Sequence, residues 1–553
     1  MSTAVNLTFL GGLGQIGRNC AALEIDGQVL LIDCGQMFGD ETTPGVDTIL
    51  PDFSYLRERG RRVIGCIATH GHEDHIGGLP YLLRELSFPV FGTAFTLALV
   101  RHKLTEAGVL ANSSLVEVAD NERRQIGPFD CEFLPVTHST PSGFMTVVRT
   151  PQGVILHSGD LKIDPRPVDQ RLTNLGRVEA ISRDEGIRLL LADSTNADQP
   201  GETRSETQIG AVLRGIFEMA EGRRITVASF ASHVHRMQQV ADTAVDHGRV
   251  VVPLGLSMVR NIKLARDLGL FNIPDANIAD AETLADLDPA QTCVVCTGSQ
   301  GEFRSALWQM VNGENRFLKL TEDDLVVFSS HPIPGNEAAV ARLRNGLARI
   351  GADVIHSGLL EVHTSGHAKQ GELTVFHRAA NPEWFVPVHG EHAHLVAHAK
   401  LARELGMPTD RALVCLDGDS LVLDDHGIAR GEPVPANEIY VDGTVGGVDG
   451  DVLRQRRLLG SDGFVAIVAT IDLSDRRVVE GPTVTSRGWA TDRDRADLHE
   501  AVAAAVRSGL VLALGDPDAT SESVERVVRR SAGSTVSERT RRRPMIVPLV
   551  TFV

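Results

Sequence analysis

His70, His72, Asp74 and His75 fall inside one short run, Thr69-His70-Gly71-His72-Glu73-Asp74-His75-Ile76-Gly77-Gly78. Imidazole nitrogen and carboxylate oxygen suit zinc, and also manganese or iron, better than thiolate-seeking ions. A single catalytic ion usually takes about three protein groups, so this run has too many ligands for one. The spacing predicts two ions, with His70 and His72 serving one and Asp74 and His75 the other. Further ligands should stand at other strand ends. Phe133-Leu134-Pro135-Val136-Thr137 runs into His138, Gly153-Val154-Ile155-Leu156-His157-Ser158-Gly159 into Asp160, and Phe385-Val386-Pro387-Val388 into His389. The expected sets are His70, His72, His138 and Asp160 for one ion, and Asp74, His75, Asp160 and His389 for the other, with Asp160 bridging.

These side chains need rigid elements behind them. Arg62-Val63-Ile64-Gly65-Cys66-Ile67-Ala68 is apolar and partly β-branched, so it reads as a buried strand leading into the ligand run. Pro80 to Leu86 follows with Leu82, Leu83 and Leu86 at helical spacing and proline near the start. The ligands are thus expected on a strand-to-helix loop. Near the N-terminus, Gly12-Leu13-Gly14-Gln15-Ile16-Gly17 satisfies G-x-G-x-x-G after a strand-like Leu7–Leu10. A dinucleotide site would need a helix next. Asp26-Gly27 between apolar runs signals a β-hairpin instead, so these glycines are expected to form a tight loop near the metal site.

The His-x-His-x-Asp-His run with its later ligands resembles the metallo-β-lactamase superfamily. That resemblance implies an α/β fold, an αββα sandwich of two mixed sheets flanked by helices. Asp33, closing Val29-Leu30-Leu31-Ile32, matches the superfamily's early strand-end aspartate, which supports the histidine run. The superfamily spans lactamases, thioesterases, glyoxalases and nucleases, so the fold does not choose the reaction.

At 553 residues and 42% hydrophobic content, the chain has room for about three domains. No uninterrupted apolar stretch reaches roughly 18 residues, and Met1-Ser2-Thr3-Ala4-Val5-Asn6 lacks the regions of a secretory signal. Seven scattered cysteines point to reduced thiols and a cytoplasmic setting. Cys293 and Cys296 form C-x-x-C inside an apolar strand, which reads as core. The net charge of −18 disfavours non-specific duplex binding, yet a groove lined by divalent ions supplies its own positive potential.

More than 220 residues separate Asp160 from His389, which predicts an inserted domain. The insert reads as α/β, with a helix from Gln208 to Met219, strand Ile225–Ala228, a helix from Arg236 to Val245, and strands at 250–252, 293–296 and 324–328. Its strand ends carry hydroxyl- and imidazole-bearing loops, including Ser232-His233-Val234-His235, Ser329-Ser330-His331-Pro332-Ile333-Pro334-Gly335-Asn336-Glu337 and His363-Thr364-Ser365-Gly366-His367. Such loops offer N–H groups and hydroxyls to phosphate. A linker is expected at 431–447, and the tail reads as a small α/β unit. From Arg526 onward the tail holds seven arginines and one acid, Glu538: an RNA-phosphate contact, a solvated helix face or a subunit contact.

The insert loops, Thr297-Gly298-Ser299-Gln300-Gly301-Glu302, Tyr440-Val441-Asp442-Gly443 and Arg543-Pro544-Met545-Ile546 are similar to the β-CASP nucleases, and within them to ribonuclease J. The resemblance implies a metallo-β-lactamase domain at 1–203 and 369–430, a β-CASP domain at 204–368, and a C-terminal α/β domain at 448–553. It implies a 5′-to-3′ exonuclease and endonuclease acting on single-stranded RNA with a preferred 5′-monophosphate, in RNA decay and rRNA maturation. It also implies two zinc ions per subunit (or Mn²⁺ or Mg²⁺), a homodimer or homotetramer through the C-terminal domain, an RNA helicase or degradosome partner, and no membrane. By the same resemblance His367 is the expected general acid, Asp193 the holder of an adjacent imidazole, and Asp74 a ligand able to accept a proton. Ser330, Ser365 and Gly366, with Ser232, His233, Val234, His235, His363, Thr364 and His367 itself, are expected to seat the RNA. Two departures concern the RNA path: Leu256 in Gly255-Leu256-Ser257-Met258 stands where the family usually has arginine, and His233 where asparagine is common. Rival readings are a DNA nuclease, a purely endonucleolytic enzyme, a non-catalytic scaffold and a hydrolase of small esters.

Overall fold

The computed structural model describes residues 3–40, 42–333, 335–443 and 445–553. Met1, Ser2 and Pro334, used in the readings above, lie outside the described residues. The chain forms two compact units, one made of Met1–Met37 and Leu50–Glu438, the other of Phe38–Ile49 and Ile439–Val553.

The first unit contains a sandwich. One sheet has eight strands in the order Gly427–Arg430, Ser420–Asp424, Val5–Gly11, Cys20–Ile25, Gln28–Ile32, Arg62–Ile67, Val90–Gly92 and Leu115–Glu117. Cys20–Ile25 and Gln28–Ile32 pair antiparallel across the Asp26-Gly27 turn, as the sequence predicts. The other sheet has six strands, Arg123–Ile126, Phe129–Pro135, Phe144–Thr150, Gly153–His157, Ile187–Asp193 and Trp384–Val388. Alternation along Ile187–Asp193 shows how the layers form, since strand side chains point to opposite faces. Leu189 and Leu191 join Phe9, Leu23 and Phe133 between the sheets. Leu190 and Ala192 face outward into a second core with Val178, Phe376 and Ala399 from the covering helices.

Between the fifth and sixth strands of that second sheet the chain builds a five-stranded, all-parallel sheet, ordered Val250–Leu254, Thr292–Cys296, Ile225–Ala228, Leu325–Phe328 and Asp353–His356. Its three central strands are buried on both faces, as helix-covered parallel strands are. Cys293 and Cys296 are free and buried within it.

The second unit has a three-stranded sheet, Arg477–Arg487, Phe464–Asp472 and Met545–Phe552, covered by helices Arg495–Leu514 and Ser521–Thr540. Two features there were not visible in the sequence. The stretch read as a linker carries the antiparallel pair Ile439–Asp442 and Val445–Val448. Phe38–Ile49, expected within the first domain, groups with this unit instead, and the Asp47 amide donates to the Val441 carbonyl at 2.9 Å.

Candidate metal centre

The ligand run is less of a loop than its glycines suggest. Strand Arg62–Ile67 ends two residues before Thr69, His72 caps a one-turn helix Glu73–Ile76 that carries Asp74 and His75, and a second short helix, Leu79–Leu82, follows. The longer helix expected from Pro80 is only this single turn. His138 follows strand Phe129–Pro135, Asp160 follows Gly153–His157, and His389 follows Trp384–Val388. Alternate strands of one sheet therefore deliver the distant ligands to one edge.

His70, His72, His138 and Asp160 place their donor atoms within 4.8 Å of one another, and so do Asp74, His75 and His389. Asp160 joins the two groups, with Oδ2 at 3.4 Å from His70 Nε2 and Oδ1 at 3.2 Å from His75 Nε2.

The tautomers follow from partners behind the rings. Asp33 accepts from His75 Nδ1 at 2.7 Å and from the Thr69 hydroxyl at 2.8 Å, and that hydroxyl in turn receives His70 Nδ1 at 3.1 Å. His138 Nδ1 donates to the Gly366 carbonyl at 2.8 Å. Each ring thus turns its Nε2 inward. His72 Nδ1 lies 3.1 Å from both His70 Nε2 and His138 Nε2. Lone pairs converging at that distance repel unless a cation sits among them. Burial, with neighbouring imidazoles, holds His70 well below its ordinary pKa. Burial likewise brings His72 down to about 4, against the pull of Asp74 and Asp160. Neutral imidazoles are what a divalent ion requires. Asp160 Oδ1 is buried and has no hydrogen bond. The residues fit a pair of divalent cations.

A further set, Asp160, Asp193, His367 and His389, also converges within 4.8 Å. Asp193 is already satisfied by hydrogen bonds. Its Oδ2 accepts from His367 Nδ1 at 2.7 Å and the Leu161 amide at 3.2 Å, and its Oδ1 accepts from the Thr195 amide and hydroxyl at 2.9 and 2.8 Å. It orients imidazoles rather than offering a free donor. Burial opposes charge on His367, but Asp193 and Asp160 outweigh it and raise its pKa. His367 Nε2 stands 4.0 Å from Asp160 Oδ2.

A narrow cleft with about 20 Å³ of water-accessible space opens beside His138. Thr364, Ser365, Gly366, His233 and His235 line it, together with Lys162, Asp164 and Glu206, which sequence reasoning did not single out. Of the other expected RNA contacts, Val234 is a buried residue opening helix Val234–Asp246. The Ser330 hydroxyl turns to the Ser299 carbonyl at 3.4 Å, and the His363 ring packs on His331. Ser232, Val234, Ser330 and His363 are not among the residues lining the cavity. Behind it, fully buried Arg236 pairs with both Glu206 oxygens at 2.6 and 2.9 Å and donates to the Val362 carbonyl at 2.8 Å. Thr69, Thr195 and Asn19 also escaped sequence reasoning, because single hydroxyls and amides carry no spacing signal.

Four family descriptions match successive parts of the chain. They are the metallo-beta-lactamase superfamily over 13–179, the ribonuclease J beta-CASP domain over 222–347, the Zn-dependent metallo-hydrolase RNA specificity domain over 355–412 and the ribonuclease J C-terminal domain over 451–553. Ribonuclease J of Mycobacterium tuberculosis is 40% identical, over 99% of this chain and 97% of its own. Ribonuclease J 1 of Streptococcus pyogenes is 37% identical and ribonuclease J2 of Bacillus subtilis 34%, each over 99% of this chain and 97% and 98% of their own. A solved structure of a protein of unknown function from Enterococcus faecalis shares the fold at a TM-score of 0.55 and 17% identity, covering 76% of this chain and 100% of its own.

Proposed function

The chain belongs to the ribonuclease J family of metal-dependent ribonucleases with exo- and endonuclease activity, and from that premise we propose how its residues divide the work. His70, His72, His138 and Asp160 hold one cation, Asp74, His75 and His389 hold the other, and Asp160 serves both. The all-nitrogen-and-oxygen donor set supports zinc, with manganese as the alternative. Two such ions supply charge to both oxygens of an in-line phosphodiester displacement and lower the pKa of the attacking water.

His367 gives a proton from Nε2 to the departing 3′-oxygen, and Asp193 keeps its Nδ1–H fixed. The raised pKa of His367 keeps that proton available near neutrality. Ser365, Thr364 and the Gly366 backbone, with His233 and His235, receive the 5′-terminal nucleotide in the adjoining cavity. The narrowness of that cleft, with the Lys162 ammonium and the Thr364 and Ser365 hydroxyls on its wall, supports a preference for a single 5′-phosphate. The domain limits are 1–203 with 369–430 for the metallo-β-lactamase domain, less Phe38–Ile49, then 204–368 for the β-CASP domain, and Ile439–Val553 with Phe38–Ile49 for the C-terminal unit. Exposed Val468 and Leu549, paired neighbours on the C-terminal sheet, support assembly into dimers or tetramers. Free, buried cysteines support work in the reducing cytoplasm, in RNA decay and rRNA maturation, where a helicase would open structured RNA. Among the described residues no helix is long and apolar enough to cross a membrane.

The observation that carries this reading is the convergence of six ligating side chains around a seventh, Asp160. Its test pairs metal analysis with digestion of 5′-labelled single-stranded RNA bearing either monophosphate or hydroxyl ends. About two cations per chain and faster release of the monophosphorylated nucleotide are expected. One cation, or equal rates on the two ends, would overturn it.

A further inference from the structure

The glycine-rich run near the N-terminus has no dinucleotide to bind, and its place in the fold is specific. Strand Val5–Gly11 ends in it, and Leu13-Gly14 pairs in parallel with Gly390-Glu391, directly after His389. The Leu13 amide donates to Asp417 Oδ1 at 2.8 Å, and Arg18, itself buried, bonds Asp417 Oδ2 at 3.2 Å and Gln15 Oε1 at 3.0 Å. The loop is thus pinned at both ends and carries Asn19 into the metal centre.

Asn19 is 8% exposed. Its Nδ2 lies 3.1 Å from the Asp74 carbonyl, 3.3 Å from Asp74 Oδ2 and 3.1 Å from His75 Nε2, and its backbone amide donates to the Asp74 carbonyl at 2.9 Å. Space around it is closed. A Cβ on Gly12 would lie 2.3 Å from Asn19 Oδ1, at a φ of +96° that glycine alone adopts freely, and a Cβ on Gly35 would lie 1.7 Å from the Asp74 carbonyl. One loop therefore touches Asp74 and His75 through Asn19, and reaches the strand end of His389 through the Leu13–Gly390 pairing. These are the three ligands of one proposed cation site. Among the described residues the loop makes no hydrogen bond to His70, His72 or His138.

Resting on the two-cation reading above, we propose that Asn19 is a positioning residue for the Asp74/His75/His389 site, and that the glycine-rich loop sets the affinity of that site separately from the other. Asn19 holds the Asp74 carbonyl through its backbone and side-chain N–H groups and stands beside Asp74 Oδ2, the oxygen that faces His389 Nε2 at 3.2 Å, so it fixes the plane of the carboxylate before any ion arrives. Supporting partners of this kind are worth about 10–100-fold in metal affinity.

The test titrates Mn²⁺ into chelator-stripped full-length protein by calorimetry, comparing wild type with Asn19→Leu and with the milder Asn19→Ser. Melting of the stripped proteins checks that both variants fold. The expected result is an unchanged first equivalent and a second weakened about 10–100-fold. Turnover on RNA should fall at low Mn²⁺ and return at high Mn²⁺ with KM for RNA unaltered, which a merely structural defect would not do. Wild-type affinity for both equivalents, or equal weakening of both, overturns the proposal while leaving the two-cation reading intact. A wild-type protein that binds no Mn²⁺ removes that reading and this proposal together.

Discussion

Asp193 is shared between two imidazoles that differ in purpose. Its Oδ2 accepts directly from His367 Nδ1 at 2.7 Å, while its Oδ1 accepts from the Thr195 hydroxyl at 2.8 Å, which receives His389 Nδ1 at 2.9 Å. One carboxylate thus sets the tautomer of a proposed proton donor and of a proposed metal ligand. Asp33 does the same for His75 directly and for His70 through Thr69. The two strand-end aspartates are equivalent devices on the two sheets.

Replacing His367 by alanine should cut turnover about 10²–10⁴-fold, the usual contribution of a general acid, with metal content retained. Asp193→Asn keeps the size but turns an acceptor into a donor toward His367. It should lose activity and weaken metal binding through His389, about 10–100-fold each. Single-turnover cleavage with metal analysis separates the two variants. Metal loss in His367→Ala would contradict the assignment.

Arg236 is completely buried and tied to Glu206 and to the Val362 carbonyl, so it joins a helix start to the segment that carries Thr364, Ser365 and Gly366. Arg236→Met leaves the Glu206 carboxylate buried without its partner. A cost of about 3–5 kcal/mol is expected, read as a lowered melting temperature. Faster amide exchange at 362–366 than in strand Ile225–Ala228 should accompany it.

His377 and His398 form a buried pair away from the metal ligands, with ring nitrogens 3.1 Å apart, and His398 Nδ1 lies 3.0 Å from the Ser194 hydroxyl. Burial pushes His377 down to about 4. An unfolded histidine titrates near 6.5, so between these values the unfolded chain binds the extra proton. Stability is therefore full above about pH 6.5 and falls as the pH drops toward 4, by about 3 kcal/mol for this group. Apparent melting temperatures from pH 7 to pH 4 should drop more steeply for wild type than for His377→Gln. Parallel curves would refute the linkage.

Much of the centre was legible because its ligands announce themselves. A strand-end histidine or aspartate after an apolar run is readable wherever it occurs, and His138, Asp160 and His389 each had that setting. The inserted parallel sheet was equally plain, since its strands are short β-branched runs between helical patterns. Fine partnerships were not. Val234 lies within a run of imidazoles and a hydroxyl, yet the helix starting there turns its side chain into the core. The Ser330 hydroxyl finds the Ser299 carbonyl at 3.4 Å, a partner 31 residues away that no local pattern announces.

The amino-acid sequence alone determined which atoms are available for chemistry and which strands carry them, because ligand type and hydrophobic period are local properties. Tertiary structure decided how those atoms are aimed. Asn19 meets Asp74 across 55 residues, and Thr195 meets His389 across 194. Such hydrogen bonds depend on sheet register and loop closure, which no single stretch of the chain encodes by itself.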